Sequence, residues 1–171
     1  MKKRIWIVGA PGAGKTTLAR ELHTRLHYPL IELDDLYWTP NWGRKDEKEF
    51  QQCVKAYSEQ STWIIDGEYP QVREIIKNRY DCLILLQFPI RFSIFNIIKR
   101  TIRGCLTGQS VCGGNKESII RLFGQEGLIR YAIKQHHFYS NTFLKYSFTN
   151  IYIIKNKKDW NILLNEICEV S

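Results

Sequence analysis

The sequence alternates short apolar segments with longer segments in which apolar residues recur every three or four positions. Short apolar segments bounded by Gly, Pro or Asp predict strands, and the longer periodic segments predict amphipathic helices. Five strands are predicted in this way, over 5–8, 28–33, 63–65, 81–88 and 151–154. The fourth is an almost unbroken apolar run, which is typical of a central parallel strand that is covered on both faces.

Helical periodicity fills most of the segments between these strands. The clearest helices are predicted over 15–26, 46–60, 91–103 and 117–139. The helix over 91–103 is predicted to turn its larger apolar residues inward, namely Phe92, Phe95, Ile98 and Ile102. Asp159 is predicted to cap a last helix. Strands that alternate with helices predict an α/β fold, with three layers around a five-stranded parallel sheet, in a single domain over 1–171.

The turn after the first strand carries the motif that points to the chemistry. Residues 9–16 read GAPGAGKT, which matches GxxxxGKT between a predicted strand and a predicted helix. In such a P-loop, backbone N–H groups and the helix N-terminus bind phosphate oxygens, so Lys15 is predicted to reach the β- and γ-phosphates and Thr16 to bind Mg²⁺. The residues predicted to bind the nucleotide, taken here to be ATP, are Gly9, Ala10, Pro11, Gly12, Ala13, Gly14, Lys15, Thr16 and Thr17. The motif leaves ATP and GTP undistinguished and does not identify the acceptor.

Two carboxylates follow predicted strands at the edge of the sheet where ligands of parallel α/β proteins bind. Asp34, after the second strand, is predicted to hold or deprotonate an acceptor hydroxyl or to orient Mg²⁺, with a helix cap or a solvent-facing turn as the alternative. Asp66, after the third strand, is predicted to contact the substrate or Mg²⁺, with capping of the next helix as the alternative. Arg73 is predicted to bind an acceptor anion. The acceptor region is therefore expected over about 34–73.

A glycine-rich segment without periodicity, over about 104–116, predicts a lid above this site. Arg100 and Arg103 lie three residues apart at its foot, on one face of the preceding helix. From there they are predicted to stabilise the transferring phosphoryl group. An ordinary solvated basic face is the alternative interpretation of the same two residues.

The formal net charge of +8 is that of a protein whose ligands are anionic. Direct binding of nucleic acid is the less favoured alternative, because the basic residues are spread along the chain and no nucleic-acid motif is found. The apolar stretch after Arg4 is broken at Gly9, which is too early for a signal or membrane segment. We therefore expect a cytoplasmic protein without a membrane partner, and the sequence leaves its oligomeric state open.

Three segments together resemble one family. They are the GAPGAGKT loop, the stretch ELDDLYW over 32–38 followed by Pro40 and Trp42, and the stretch WIIDGEY over 63–69. This combination resembles the adenylate-kinase-like P-loop proteins known as DNA topology modulation (FlaR-related) proteins. The resemblance implies a nucleoside-kinase-type fold with strand order 2-3-1-4-5, binding of ATP and Mg²⁺, and kinase activity on a small molecule or nucleotide. It also implies that the loop after the last strand, with Asn156, contacts the adenine.

The chain departs from this resemblance at the end of the fourth strand. Relatives commonly have an acidic residue there, in a pattern like FLDLP, whereas this chain has LLQFP with Gln87. A neutral amide cannot supply the charge of a carboxylate to the Mg²⁺ site. The sequence thus predicts an ATP-dependent phosphotransferase, with two alternatives: a nucleotide-binding regulator that affects DNA topology and has little kinase activity, and a plain NTPase.

Overall fold

The computed structural model describes residues 2–108, 110–116, 118–123, 127–146 and 148–168. Its centre is a sheet of five strands, β1 (Arg4–Gly9), β2 (Leu30–Glu32), β3 (Trp63–Asp66), β4 (Cys82–Leu86) and β5 (Ile151–Ile154). All neighbouring strands are parallel, in the order β2-β3-β1-β4-β5. The predicted parallel α/β sheet is therefore confirmed, and its order is 2-3-1-4-5 when the strands of this sheet alone are numbered.

Seven α-helices connect or follow these strands in the described part of the chain. They are α1 (Lys15–Leu26), α2 (Leu33–Tyr37), α3 (Glu47–Ser58), α4 (Arg73–Lys77), α5 (Ile90–Thr107), α6 (Leu128–Asn141) and α7 (Lys157–Cys168). None of the helices so described combines the length and the apolar character that crossing a membrane requires.

Two small antiparallel pairs lie outside the sheet, and the sequence analysis predicted neither. In the first hairpin (38–44), Trp38–Thr39 pairs with Gly43–Arg44. In the second hairpin (110–116), Ser110–Val111 pairs with Asn115–Lys116. The predicted lid over 104–116 is thus two structures, since its first residues complete α5 up to Thr107 and its later ones form the second hairpin.

The core lies on both faces of the sheet because side chains alternate along each strand. In β1, Ile5 and Ile7 pack with α1 and α7 on one face. Trp6 and Val8 pack on the other face with α3, α4 and the C-terminal part of α6. All four side chains are fully buried, as expected for a central strand between two helical layers.

The inward face of α5 differs from the prediction. Its buried residues are Ser93, Ile97 and Thr101, whereas Phe95 is 64% exposed and Ile102 is 45% exposed. The reason is that α5 packs directly against the P-loop, where a Cβ at residue 12 would overlap the Ser93 carbonyl oxygen. Small side chains permit such a close approach of two backbones, and the large apolar residues consequently lie on the outer face of α5.

Other boundaries differ in ways that have local causes. The residues after β2 form the short helix α2, which the sequence analysis did not predict. The helix predicted over 117–139 is a 3-10 turn, Ile119–Leu122, followed by α6. The last helix is capped by Asn156, whose Oδ1 accepts from the Asp159 N–H at 3.0 Å, while the Asp159 carboxylate accepts from the Lys155 N–H at 2.8 Å. The N-cap of α7 is therefore Asn156, and the prediction of Asp159 as the cap was wrong.

Candidate active site

The loop between β1 and α1 leaves a helix N-terminus open to an anion. Its turn is closed by the Ala13 N–H, which donates to the Ala10 carbonyl at 3.1 Å, and Lys15 Nζ donates to the same oxygen at 3.3 Å. Gly14, at the N-cap of α1, has no side chain that could bind the first-turn N–H groups. These groups and the positive end of the helix dipole are what a phosphate requires. Nucleotide binding by residues 9–17 stays a prediction that this geometry supports.

The P-loop also packs against α5. Gly12 has φ +76°, and a Cβ there would also lie 2.9 Å from Ile97 Cγ1. Asn96 Nδ2 donates to the Gly12 carbonyl at 2.9 Å. Arg100 and Arg103 follow Asn96 by one and two helical turns, so they lie on the same stripe of α5, and both are exposed. Their contact with a transferring phosphoryl group remains a prediction.

Asp66 stands next to Thr16 because β3 is the immediate neighbour of β1, with Ile7 and Asp66 in register. The Thr16 hydroxyl donates to Asp66 Oδ2 at 2.6 Å. The Asp66 side chain is buried, and its Oδ1 has no hydrogen-bond partner among the described residues. Burial raises the pKa of Asp66 to about 6, against the opposing effects of the Lys15 charge and the Thr16 hydrogen bond.

This pair of residues fits a magnesium ion. Mg²⁺ prefers carboxylate, hydroxyl and water oxygens, and it usually keeps several waters beside one or two protein ligands. The unpartnered Oδ1 of Asp66 and the hydroxyl of Thr16 supply such oxygens beside the phosphate-binding loop. The residues present therefore suit Mg²⁺, and no rearrangement of the strands is needed to bring them together.

Gln87, the departure noted in the sequence, lies elsewhere. Its Nε2 donates to the Tyr139 carbonyl at 3.1 Å, which ties the end of β4 to α6. The carboxylate beside Thr16 comes from β3, not from β4. The neutral residue at position 87 therefore does not deprive the P-loop of an acidic neighbour. The apolar run Trp63–Ile65 that ends in Asp66 is the sequence signal for this carboxylate.

Asp34 lies on α2, at the end of β2, and its side chain is exposed. The Tyr69 hydroxyl donates to Asp34 Oδ1 at 2.6 Å. Burial, and then the charge of Asp34, raise the pKa of Tyr69 far above its usual value, so its phenol stays a donor. The Asp34 charge also acts to raise the pKa of Asp66. The two predicted carboxylates thus lie at one site, with Tyr69 as an orienting partner that the sequence analysis did not include.

Arg73 reaches the same region but is already paired. Its Nε donates to Glu68 Oε1 at 2.7 Å, and the two side chains are only 11% and 5% exposed. The Tyr139 hydroxyl lies 3.5 Å from Glu68 Oε2, to which it donates, and the Arg73 guanidinium lies 4.5 Å from the centroid of the Tyr146 ring. Breaking a buried pair of this kind by removing one partner costs about 3–5 kcal/mol. Arg73 is therefore a fixed part of the structure as well as a candidate ligand.

The second hairpin docks on the first through a buried amide. Asn115 is 4% exposed; its Oδ1 accepts from the Trp42 N–H at 2.7 Å, and its Nδ2 donates to the Thr39 carbonyl at 3.0 Å. Gly113 has φ +65°, and a Cβ there would overlap the Trp38 carbonyl oxygen. The predicted lid is thus joined to the predicted acceptor region, and these contacts between distant segments have no signal in the sequence.

Two further contacts join the same parts of the chain. The Arg121 guanidinium lies 3.6 Å from the centroid of the Trp42 ring, a cation–π contact. The Gly113 N–H donates to Asp35 Oδ1 at 3.4 Å. Together with Asn115 they join the two hairpins to each other, to α2 and to the turn Ile119–Leu122.

Asn156 follows β5, where the resemblance places an adenine contact. Its Nδ2 donates to Asp159 Oδ2 at 3.1 Å, and its Oδ1 caps α7. The side chain is therefore engaged within the loop that it belongs to. Contact between Asn156 and adenine stays a prediction.

Comparison with known proteins agrees with this architecture. A family model described as an AAA domain matches residues 5–85. The uncharacterised protein YqaC of Bacillus subtilis (strain 168) is 30% identical over 91 residues, which are 52% of this chain and 51% of YqaC. The chain thus spans about half the length of the curated relative that it matches. Because YqaC is uncharacterised, this match does not confirm a link to DNA topology modulation.

Solved structures show the same fold over nearly the whole chain. A shikimate kinase from Acinetobacter baumannii in complex with shikimate superposes with a TM-score of 0.63 at 14% sequence identity. The superposition covers 100% of this chain and 96% of the shikimate kinase chain. A shikimate kinase from Bacteroides thetaiotaomicron has a TM-score of 0.55 at 16% identity, and the superposition covers 99% of this chain and 98% of that kinase. A deoxyadenosine kinase from M. mycoides with bound dCTP has a TM-score of 0.51 at 15% identity, and the superposition covers 96% of this chain and 98% of that kinase. The chain therefore has the fold of P-loop kinases.

Proposed function

We propose that this protein is an ATP-dependent phosphotransferase that phosphorylates a hydroxyl group of a small molecule. The observation that carries the proposal is the convergence of Lys15, Thr16 and Asp66 at one edge of the sheet, with Asp34 close enough for its charge to act on Asp66. Phosphoryl transfer needs positioning and charge neutralisation more than covalent chemistry, and these groups supply both. That several proteins of similar fold are named as kinases supports the same class of reaction.

On the nucleotide side, residues 9–17 bind the triphosphate and Lys15 neutralises charge on the β- and γ-phosphates. Thr16 and Asp66 would hold Mg²⁺, which, when bound, offsets part of the phosphate charge. Arg100 and Arg103 are exposed on α5, one and two turns after the residue that binds the P-loop, and they stabilise the charge of the transferring group. Asn156 completes the nucleotide side at the adenine.

On the acceptor side, Asp34 receives or orients the proton of the attacking hydroxyl. The Tyr69 hydroxyl holds Asp34 Oδ1 at 2.6 Å, which fixes the carboxylate and leaves Oδ2 for the acceptor. The two hairpins are joined to each other by Asn115. In the proposed reaction they would shield this region from water once the acceptor is bound, so that the phosphoryl group passes to the acceptor rather than to solvent.

The test is ADP release from Mg-ATP over a panel of hydroxyl acceptors, with wild-type protein and Lys15→Ala. We expect stimulation by one class of acceptor, and we expect Lys15→Ala to lower the stimulated rate by about 10²–10³-fold, as when one stabilising charge is removed from a transition state. Lys48→Ala, an exposed lysine of α3, is the matched control and should keep the full rate. A Lys15→Ala protein that retains the wild-type rate would contradict the proposal.

A second candidate is a nucleotide-binding regulator that acts on DNA, and the observation in its favour is the net charge of +8. It makes the opposite prediction for the same experiment. A flat acceptor panel together with intact ATP binding would favour the regulator, and duplex-DNA binding at several salt concentrations would then be measured. ATP hydrolysis that no acceptor stimulates would indicate a plain NTPase.

A further inference from the structure

Two carboxylates of the acceptor region, the exposed Asp34 and the nearly buried Glu68, are each bound by a phenol. Asp34 accepts a hydrogen bond from the Tyr69 hydroxyl, and Glu68 accepts one from the Tyr139 hydroxyl. Partial burial, and then the charges of Asp34 and Glu68, raise the pKa of Tyr131, so this phenol stays neutral. An acceptor that enters beside Asp34 therefore meets negative charge and neutral hydroxyl groups.

Arg73, the cation that the sequence offers for an anionic acceptor, is already neutralised. Its guanidinium and the Glu68 carboxylate lie 2.7 Å apart, nearly out of contact with solvent. An acceptor anion could take this guanidinium only if the Glu68 carboxylate gave up its partner or if two anions shared one cation. With the pair intact, Glu68 and Arg73 together add no net charge to the acceptor region, and the Asp34 carboxylate repels a phosphate or carboxylate placed against it.

We infer that the acceptor is an uncharged hydroxyl compound of the sugar or nucleoside class, and that the Glu68–Arg73 pair enforces this choice. The inference rests on the proposed phosphoryl transfer. Carboxylates and phenols form hydrogen bonds with the hydroxyl groups of such a compound. In the reaction, an acceptor oxygen forms a bond to the γ-phosphorus while the bond to the β–γ bridging oxygen breaks. The hydroxyl proton passes to Asp34, and ADP leaves.

The experiment compares each neutral acceptor with an anionic analogue that keeps its other hydroxyl groups. Nucleosides are paired with their 3′- and 5′-monophosphates, and hexoses with the corresponding hexuronic acids. For wild-type protein with Mg-ATP, we expect kcat/KM for the neutral member of the productive pair to be at least about tenfold higher. A wild-type preference for the anionic member would overturn the inference and leave the proposed phosphotransferase function standing.

Substitution of the ion pair tests the cause. Glu68→Gln removes the carboxylate charge and leaves the charge of Arg73, so it should shift the ratio of neutral to anionic acceptor about tenfold toward the anion. Glu68→Gln combined with Arg73→Gln removes both charges and should restore the preference for the neutral member. Glu59→Gln is the matched control, because Glu59 is paired with Arg79 in a largely exposed ion pair. An unchanged ratio in folded Glu68→Gln would overturn the assigned role of the pair.

Measuring acceptor binding distinguishes a failure of the proposed phosphoryl transfer from a failure of the inferred preference for an uncharged acceptor. If no acceptor is phosphorylated, the proposed function fails, and calorimetric titration of the same pairs with the nucleotide-loaded protein still tests the inference. Equal or tighter binding of the anionic members, or binding of neither member of any pair, would overturn it. If Glu68→Gln does not fold, the wild-type ratio and the double variant decide.

Discussion

The two halves of the candidate site are built in different ways. The phosphate half is one continuous segment, residues 9–17, with a single carboxylate supplied by the adjacent strand β3. The acceptor half joins α2, the start of α4, α6 and two hairpins, through contacts such as Tyr69 to Asp34 and Trp42 to Asn115, which lie 35 and 73 residues apart. The predicted nucleotide site thus lies in local sequence, whereas the predicted acceptor site depends on tertiary structure.

The largest effect is expected where the phosphate half meets α5. Gly12→Ala should lower the free energy of unfolding by about 3–4 kcal/mol, because its φ of +76° is strained for alanine and the added Cβ overlaps the Ser93 carbonyl oxygen. Gly108→Ala is the matched control, with φ +64° and nothing within 4 Å of the added Cβ, and it should cost only about 1–2 kcal/mol. Urea unfolding of both variants measures the difference; equal losses would show that the loop and α5 are not tightly packed.

A second prediction concerns the buried carboxylate of the phosphate half, in the absence of Mg²⁺. The pKa of Asp66 is raised from 3.8 to about 6 in the folded state, so the wild-type protein loses stability as the pH rises through this interval. Asp66→Asn removes this loss, and its stability relative to wild type should increase by about 2–3 kcal/mol between pH 3.5 and pH 7. Urea unfolding at the two pH values measures it.

The control for this prediction comes from α3. Gln52 is an exposed neutral residue of α3, and the stability of Gln52→Ala relative to wild type should not change with pH, because the substitution removes no titratable group. A stability difference between Asp66→Asn and wild type that stays constant with pH would mean that Asp66 is not buried in the folded protein.

The smallest effect is expected in the acceptor half alone. Asn115→Ala leaves the Trp42 N–H and the Thr39 carbonyl without the amide that joins the hairpins, at a cost of about 1–2 kcal/mol. We expect KM for the acceptor to rise about tenfold and KM for ATP to stay within about twofold. Steady-state kinetics measure both, with Asn161→Ala, an exposed residue of α7, as the control. A parallel rise in both KM values would break the separation of the two halves.

Much of the fold could be predicted from sequence because its signals are local. The buried strands are short apolar runs, α1 repeats leucine every four residues, and the P-loop motif lies at the junction of β1 and α1. Period and composition within about ten residues determine each of these features.

The rest depends on contacts between distant segments, which period and composition do not contain. The helix α5 shows this, because its larger apolar residues predicted the wrong inward face while Ser93 was the residue packed against Gly12. The pairing of Arg73 with Glu68 and the burial of Asn115 are similar cases, since each depends on which polar group tertiary structure places opposite another. A charged residue in a sequence does not reveal whether its charge is already neutralised.

The attachment of the P-loop to α5 has a thermodynamic consequence. Asn96, in the N-terminal half of this helix, holds the Gly12 carbonyl, and the second hairpin, which is joined to the first, follows the C-terminus of the helix. The P-loop and the two hairpins are therefore connected through one helix, α5. If filling the P-loop shifts this helix so that the acceptor binds more tightly, the acceptor must tighten the nucleotide by the same factor, because coupling between two sites is reciprocal.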